Sequence, residues 1–169
     1  LYPEVAVITA MDADHLDIYS DLAHVQEAFK AFASQVSGTV IKKYDLDITP
    51  QDTGAQILEY SLDNNLADFH AENIHCDECG YFTFDLHHPS GVIEGCRCGV
   101  PGIINVENSV AAAAVALVYG LDPQSIRTAL ASFRGVKRRF DIQFNTPACS
   151  YIDDYAHHPD EVAATLAAV

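Results

Sequence analysis

The sequence predicts an α/β fold: a mostly parallel sheet with flanking helices, plus a small antiparallel β meander. Three observations predict it. Val5-Ala6-Val7-Ile8-Thr9 is a short continuous apolar run, the pattern of a strand buried on both faces of a parallel sheet. A helical pattern and a second apolar run, Val40-Ile41, follow it and complete a strand–helix–strand unit. Between about residues 56 and 100 the texture changes to short β-like runs separated by turn signals.

The elements follow in order. The first strand ends in Asp12-Ala13-Asp14-His15-Leu16-Asp17, an acidic, histidine-bearing loop at the carboxyl edge, where ligands gather in open α/β sheets. From Ala23 to Val36 the residues Val25, Ala28, Phe29, Phe32 and Val36 recur at helical spacing, and Gly38 separates this helix from the second strand. Ile57–Tyr60, Phe69–Ile74, Tyr81–Phe84 and Val92–Glu94 are the expected meander strands, with turns at Asp63-Asn64-Asn65, Glu78-Cys79-Gly80 and His88-Pro89-Ser90-Gly91. Helical pattern returns from Asn108 to Tyr119 and closes on Gly120. Asp122-Pro123 supplies an N-cap and a first-turn proline for the next helix, which runs to about Phe133. A last strand, about Ser150 to Asp154, leads through Tyr155-Ala156-His157-His158-Pro159 into an alanine-rich helix. A domain boundary is expected near Thr146-Pro147, with residues 1–146 in one domain and 147–169 opening the next.

Composition narrows the function. The 169 residues carry 24 Asp+Glu against 9 Lys+Arg, a formal net charge of −15. Polyanion affinity comes from basic side chains neutralising phosphates, so this chain is no general nucleic-acid binder and has little hold on an anionic membrane. No apolar run approaches the ~18 residues of a membrane span. Leu1-Tyr2-Pro3-Glu4 lacks an initiator Met and a signal-peptide arrangement, and the last helical pattern is still running at Val169, so the chain reads as a piece of a longer protein. The 5 cysteines read as thiols rather than a disulfide framework. Cys76-Asp77-Glu78-Cys79 and Cys96-Arg97-Cys98 are zinc-like spacings. Strand alternation, however, sends Cys96 and Cys98 to one face with Arg97 on the other, and buried or edge thiols are the expected state.

Four segments carry chemistry. Asp12, Asp14 and Asp17 around His15 suit a hard divalent cation such as Mg²⁺, or form a solvated acidic loop. Asn105 and Asn108, three residues apart in Asn105-Val106-Glu107-Asn108, offer amides that match an adenine edge or cap a helix. Lys137-Arg138-Arg139 is the basic cluster of an otherwise acidic chain and fits an anion. Asp153-Asp154-Tyr155-Ala156-His157-His158-Pro159 ends a strand and opens a helix, with both histidines read as structural.

Taken in order, these segments resemble the Mur ligases. The resemblance rests on Asp14-His15-Leu16-Asp17-Ile18-Tyr19, Asn105-Val106-Glu107-Asn108-Ser109-Val110-Ala111-Ala112, Gly135-Val136-Lys137-Arg138-Arg139-Phe140-Asp141 and Asp153-Asp154-Tyr155-Ala156-His157-His158-Pro159. It implies most of a central ATPase-like domain, 1–146, without its phosphate-loop part, and the start of a C-terminal Rossmann-like domain, 147–169. No G-x-x-x-x-G-K-[ST] occurs, so the chain alone is expected to be inactive. The resemblance further implies ATP and Mg²⁺ as cofactors, UDP-N-acetylmuramate and L-alanine as substrates of the whole enzyme, and a cytoplasmic location. His15 resembles the family's Mg²⁺ ligand, Asn105 and Asn108 its adenine-side asparagines, and Arg139 and Asp154 the pair that engages ATP from the domain junction. The chain departs from the pattern at Ala10, where the family often has Asn, and at Ile103-Ile104, where it commonly has Arg-His. A ligase that recycles murein tripeptide shares much of the pattern, and a non-catalytic zinc-stabilised module is the alternative of another class. With only the opening of the second domain in the sequence, Asp154 and the segment after it are expected to be loosely held.

Overall fold

The computed structural model describes residues 1–11 and 22–167. Its first layer is a parallel sheet of β1 (Val5–Ile8), β2 (Thr39–Lys43) and β3 (Gln56–Tyr60), in that order. β1 pairs in parallel with β2, and β2 with β3. Helix α1 (Leu22–Ala33) makes the crossover between β1 and β2. Val40 and Ile41 are both fully buried, because β2 is central and covered on both faces. They belong to different cores. Val40 joins Ala6, Ile8, Met11, Ala33, Val36 and Ile48 on the α1 side, whereas Ile41 joins the larger cluster beneath the later helices.

β3 is a correction. Its sequence, followed by Asp63-Asn64-Asn65, reads as the first strand of a meander, yet it is the third strand of the parallel sheet. The polar stretch after it is no hairpin turn but a loop that doubles back, with Phe69 N–H donating to the Glu59 carbonyl and Ser61 N–H to that of Phe69. An edge strand has one open flank, so its partly exposed pattern mimics that of a two-sided antiparallel strand. The antiparallel sheet proper is β4 (His70–Cys76), β5 (Phe82–His88) and β6 (Gly91–Arg97). A parallel bridge between Tyr60 and Phe69 joins it to the first sheet.

Helix α2 (Ile104–Val118) lies across both sheets and buries Val106, Val110, Ala111, Ala113 and Ala114. Its alanines keep the helix close to the strands, so an alanine-rich run serves here as a core face. Helix α3 (Pro123–Ser132) follows with Asp122 as N-cap, its carboxylate accepting from Ser125 N–H at 3.0 Å. It packs on β6. The end of the chain holds an unanticipated strand, β7 (Asp141–Asn145), paired antiparallel with β8 (Ser150–Asp153), and then α4 (Pro159–Ala167). The stretch 146–147, the expected domain boundary, lies in the turn of this hairpin.

Candidate functional site

The three parallel strands point their carboxyl ends to one side, and α2 is brought there by an ion pair. Lys43, the last residue of β2, reaches Glu107 in the first turn of α2 at 3.0 Å, and Glu107 is largely buried. A carboxylate taken out of water in this way needs its cation, so the pair fixes where α2 begins. Tyr60, at the end of β3, has its phenol pushed up to about 12 by burial and, secondarily, by the Glu107 charge.

That placement presents Asn105 and Asn108. The structure removes the capping alternative: the N-cap of α2 is Ile103, with no side-chain capping bond, and the helix starts four residues before the expected Asn108. Asn105 Nδ2 instead donates to the Pro101 carbonyl at 2.7 Å, and Asn108 Nδ2 approaches Asn105 Oδ1 at 3.4 Å. Asn108 is exposed and Asn105 half-buried, leaving polar amide atoms facing outward from the helix.

Asn105 and Asn108 share one cleft of about 680 Å³ with Arg139 and Asp154, walled by Ile104, Phe133, Val136 and Phe140 and reaching Thr9 at the end of β1. A second, largely apolar slot of about 310 Å³ opens on the other side of the same two asparagines, between α2 and α3, with Phe133 common to both. Four of the five residues singled out from sequence therefore converge. The fifth, His15, lies outside the described residues, as do Asp12, Asp14 and Asp17.

Arg139 and Asp154 are held by neighbours rather than left loose. Arg139 pairs with Glu161 of α4 at 3.2 Å and keeps a half-exposed side chain. Asp154 accepts hydrogen bonds from Phe140 N–H at 3.0 Å, Ala156 N–H at 2.9 Å and the Thr165 hydroxyl at 3.0 Å. Asp154 thus ties the basic turn, the strand end and α4 together, against the expectation of a loose segment. In that turn Arg138 and Phe140 take φ of 60° and 47°, a left-handed backbone that non-glycine residues seldom adopt. The Arg138 guanidinium lies 4.6 Å from the Tyr155 ring centre while Arg138 stays exposed, and it is Arg139 that lines the cleft.

His157 and His158 open α4 through their backbone. Their amides donate to Glu161 Oε2, and these bonds, His157 first, hold the Glu161 carboxyl below the usual carboxylate range. This is half of a capping box, legible in sequence as a glutamate three residues after His158. Phe133, which walls both clefts, carried no sequence signal beyond its place at the end of α3. Cys96 and Cys98 are buried on one face of the β6 ladder while Arg97 is exposed, as alternation predicts. Cys76 and Cys79 are exposed near the β4–β5 turn.

A parallel sheet with amides, a cation and a carboxylate gathered around a cleft at its carboxyl edge defines an α/β ligand-binding domain. Residues 1–116 match the Mur ligase middle domain, and the chain belongs to that family. Over its whole length it is 39% identical to the UDP-N-acetylmuramate–L-alanine ligase of Porphyromonas gingivalis, covering 38% of that protein. With the ligase of the same name from Flavobacterium psychrophilum it shares 42% identity, covering 36% of that protein. Among solved structures, the UDP-N-acetylmuramate–alanine ligase of Thermotoga maritima superposes with a TM-score of 0.82 at 26% identity, covering 99% of this chain and 38% of that one. An Acinetobacter baumannii UDP-N-acetylmuramoylalanyl-D-glutamyl-2,6-diaminopimelate–D-alanyl-D-alanyl ligase gives 0.83 at 25% identity, with 99% and 37% covered. The chain thus spans little more than a third of these relatives.

Proposed function

We propose that this chain forms the nucleotide-binding part of a cytoplasmic, ATP-dependent ligase that joins L-alanine to UDP-N-acetylmuramate in peptidoglycan synthesis. The convergence of Asn105, Asn108, Arg139 and Asp154 on one cleft carries the reading. The names of its relatives at about 40% identity supply the substrates. The apolar slot between α2 and α3 suits a planar base, and the two amides at its mouth offer the donor and acceptor that an adenine edge requires. Phe133, Leu130 and Ile126 add apolar wall where a base would lie.

In this reaction the muramate carboxylate attacks the γ-phosphorus of ATP and ADP leaves. The alanine amine then attacks the acyl carbon, loses a proton and expels phosphate. Arg139 stands in the cleft to offset negative charge gathering on the phosphoryl oxygens. Asp154 positions the turn that carries Arg139. His15, which comes after β1 in the chain with its acidic neighbours, is the residue proposed to hold Mg²⁺. Bound there, the ion would supply charge neutralisation between phosphates. The second domain is proposed to open at 147–169, bringing Asp154 to a nucleotide held by residues 1–146.

The test is made in the whole ligase with Asn105→Ala and Asn108→Ala. Loss of one polar base contact costs about 1–3 kcal/mol, so the KM for ATP should rise by roughly 5- to 150-fold while that for the UDP-sugar changes little. Because neither asparagine caps α2, Asn108→Ala should melt with the parent, whereas Asn105→Ala also loses the bond to the Pro101 carbonyl and should melt slightly lower, by the worth of one hydrogen bond of about 1 kcal/mol. Unchanged ATP kinetics in both variants would overturn the assignment.

A further inference from the structure

Away from the cleft, the outer face of the antiparallel sheet gathers three side chains capable of holding a metal. His70 and His87 stand directly opposite each other on β4 and β5, and Glu72 lies two residues along β4 from His70, which puts it on the same face. Glu72 bridges the imidazoles: its Oε1 is 3.5 Å from His70 Nε2 and its Oε2 is 3.2 Å from His87 Nε2. The rings stack at 4.9 Å. The candidate ligand atoms all lie within 4.8 Å of one another, and among the described residues no other group of three His, Cys, Asp or Glu side chains meets that condition.

We propose that His70, Glu72 and His87 form a Zn²⁺ site with two nitrogen ligands, one carboxylate and an open position toward solvent. Ligands about 2.0–2.2 Å from a tetrahedral ion stand roughly 3.3 Å apart, close to the spacings already present between Glu72 and each ring. The tautomer is also set. His70 Nδ1 lies 3.2 Å from the Ala67 carbonyl, which accepts only, so the neutral ring carries its proton on Nδ1 and turns the Nε2 lone pair toward Glu72. The backbone beyond Glu72 is pinned. Asn73, with φ of 51°, donates to Asp85 Oδ2 at 2.8 Å, and Asp85 Oδ1 accepts from Gly95 N–H at 2.8 Å. A bulge follows Glu72, so the ligand set occupies the regular stretch of the β4–β5 ladder before it, and pairing resumes at His75 opposite Thr83. His70 is buried, His87 half-buried and Glu72 exposed, which leaves an entry path and a coordination position for water. The bound ion would clamp β4 to β5 beside the joint between the two sheets.

The experiment titrates the intact 169-residue chain with Zn²⁺ at about pH 7.5, where imidazole is mostly neutral. Wild type should bind about one ion, and its melting temperature should rise with Zn²⁺. His87→Gln and Glu72→Gln, both at accessible positions, should keep the apo fold by circular dichroism, weaken binding by about 10- to 100-fold and lose the thermal response. Co²⁺ in place of Zn²⁺ should give visible ligand-field bands without a thiolate charge-transfer band, and Cys76→Ser/Cys79→Ser should bind as wild type does. Wild-type affinity in both His87→Gln and Glu72→Gln, loss of binding in the cysteine variant, or no binding by wild type at about 100 μM Zn²⁺ would each overturn the site.

Discussion

Gly99 makes the sharpest stability test in this fold. It sits where the chain leaves β6 and runs against the end of α3, its N–H donating to the Leu130 carbonyl at 3.1 Å. A Cβ on this residue would meet the Phe133 carbonyl oxygen at 2.0 Å and the Leu130 oxygen at 3.0 Å, both backbone atoms with no side-chain freedom to yield. Restoring ordinary contact requires the last turn of α3 to retreat by about 1.4 Å, which breaks the Gly99 hydrogen bond and loosens the packing of α3 on β6. The lost bond contributes about 1 kcal/mol and the overpacking about 1–3 kcal/mol, so Gly99→Ala should cost roughly 2–4 kcal/mol. For a chain of this length that lowers the melting temperature by roughly 4–16 °C. Gly54 is the control, because nothing lies within 4 Å of the place its Cβ would take, and Gly54→Ala should be near neutral. Thermal melts of the two variants beside wild type decide the matter. If Gly99→Ala melts with wild type, or Gly54→Ala falls as far, the close approach is not what sets the position of α3. Phe133 moves with that turn, so Gly99→Ala should also weaken nucleotide binding if both clefts are used as proposed.

Asp122→Ala should lower the melting temperature at neutral pH by removing the cap of α3. Bonds from the Ser125 hydroxyl, and then from its amide, hold the Asp122 carboxyl below its usual 3.8. A depressed folded-state value stabilises above the unfolded one and is lost as pH falls through the folded one, so the gap between wild type and variant should narrow below about pH 4. A gap that stays constant with pH would contradict this. Thiol labelling at about pH 8 should modify Cys76, Cys79 and Cys149 quickly and spare Cys96 and Cys98. Burial pushes Cys96 up to about 11 and raises Cys98 as well, so equal labelling of all five cysteines, read by peptide mass, would show that this core opens readily.

The parts of the fold that sequence discloses are those where period and burial agree. β2 reads correctly because a doubly buried strand is a continuous apolar run, and α1 because it has one apolar face, whereas β1 is placed correctly as a strand but lies at the sheet edge with Val7 exposed, so its apolar run overstates its burial. Cys96 and Cys98 read correctly because alternation alone decides which face they take. β3 misreads because its partner lies far back in the chain, and polarity records exposure, not strand direction. α2 begins earlier than its pattern suggests because Ile103 caps with backbone alone, so no side-chain start signal is present. At the cleft the residue types were legible, while their meeting depends on the Lys43–Glu107 pair and on the left-handed turn before β7, neither of which has a periodic signature. The His70, Glu72 and His87 group was missed for a related reason. Two of its members are close in sequence, but the third arrives only through the β4–β5 register.

Helix α2 packs on strands of both sheets and on α3, and supplies Val106, Val110 and three alanines to the larger core. It also follows β1 to β6 in the chain. On a ribosome adding about 5–20 residues per second, β1 would therefore wait on the order of 5–20 s for the end of the helix that covers the sheets, and β6 only about 1–4 s. Until then Ile41, Tyr60, Phe84, Leu86 and Ile93 have no lid over the face they share. A nascent chain ending before Ile104 would expose that apolar face and be a natural client for a holdase, whereas one extended through Phe133 would have the material to close it. Synonymous changes that slow translation just ahead of α2 should then cost yield through aggregation, even though the finished protein is unaltered.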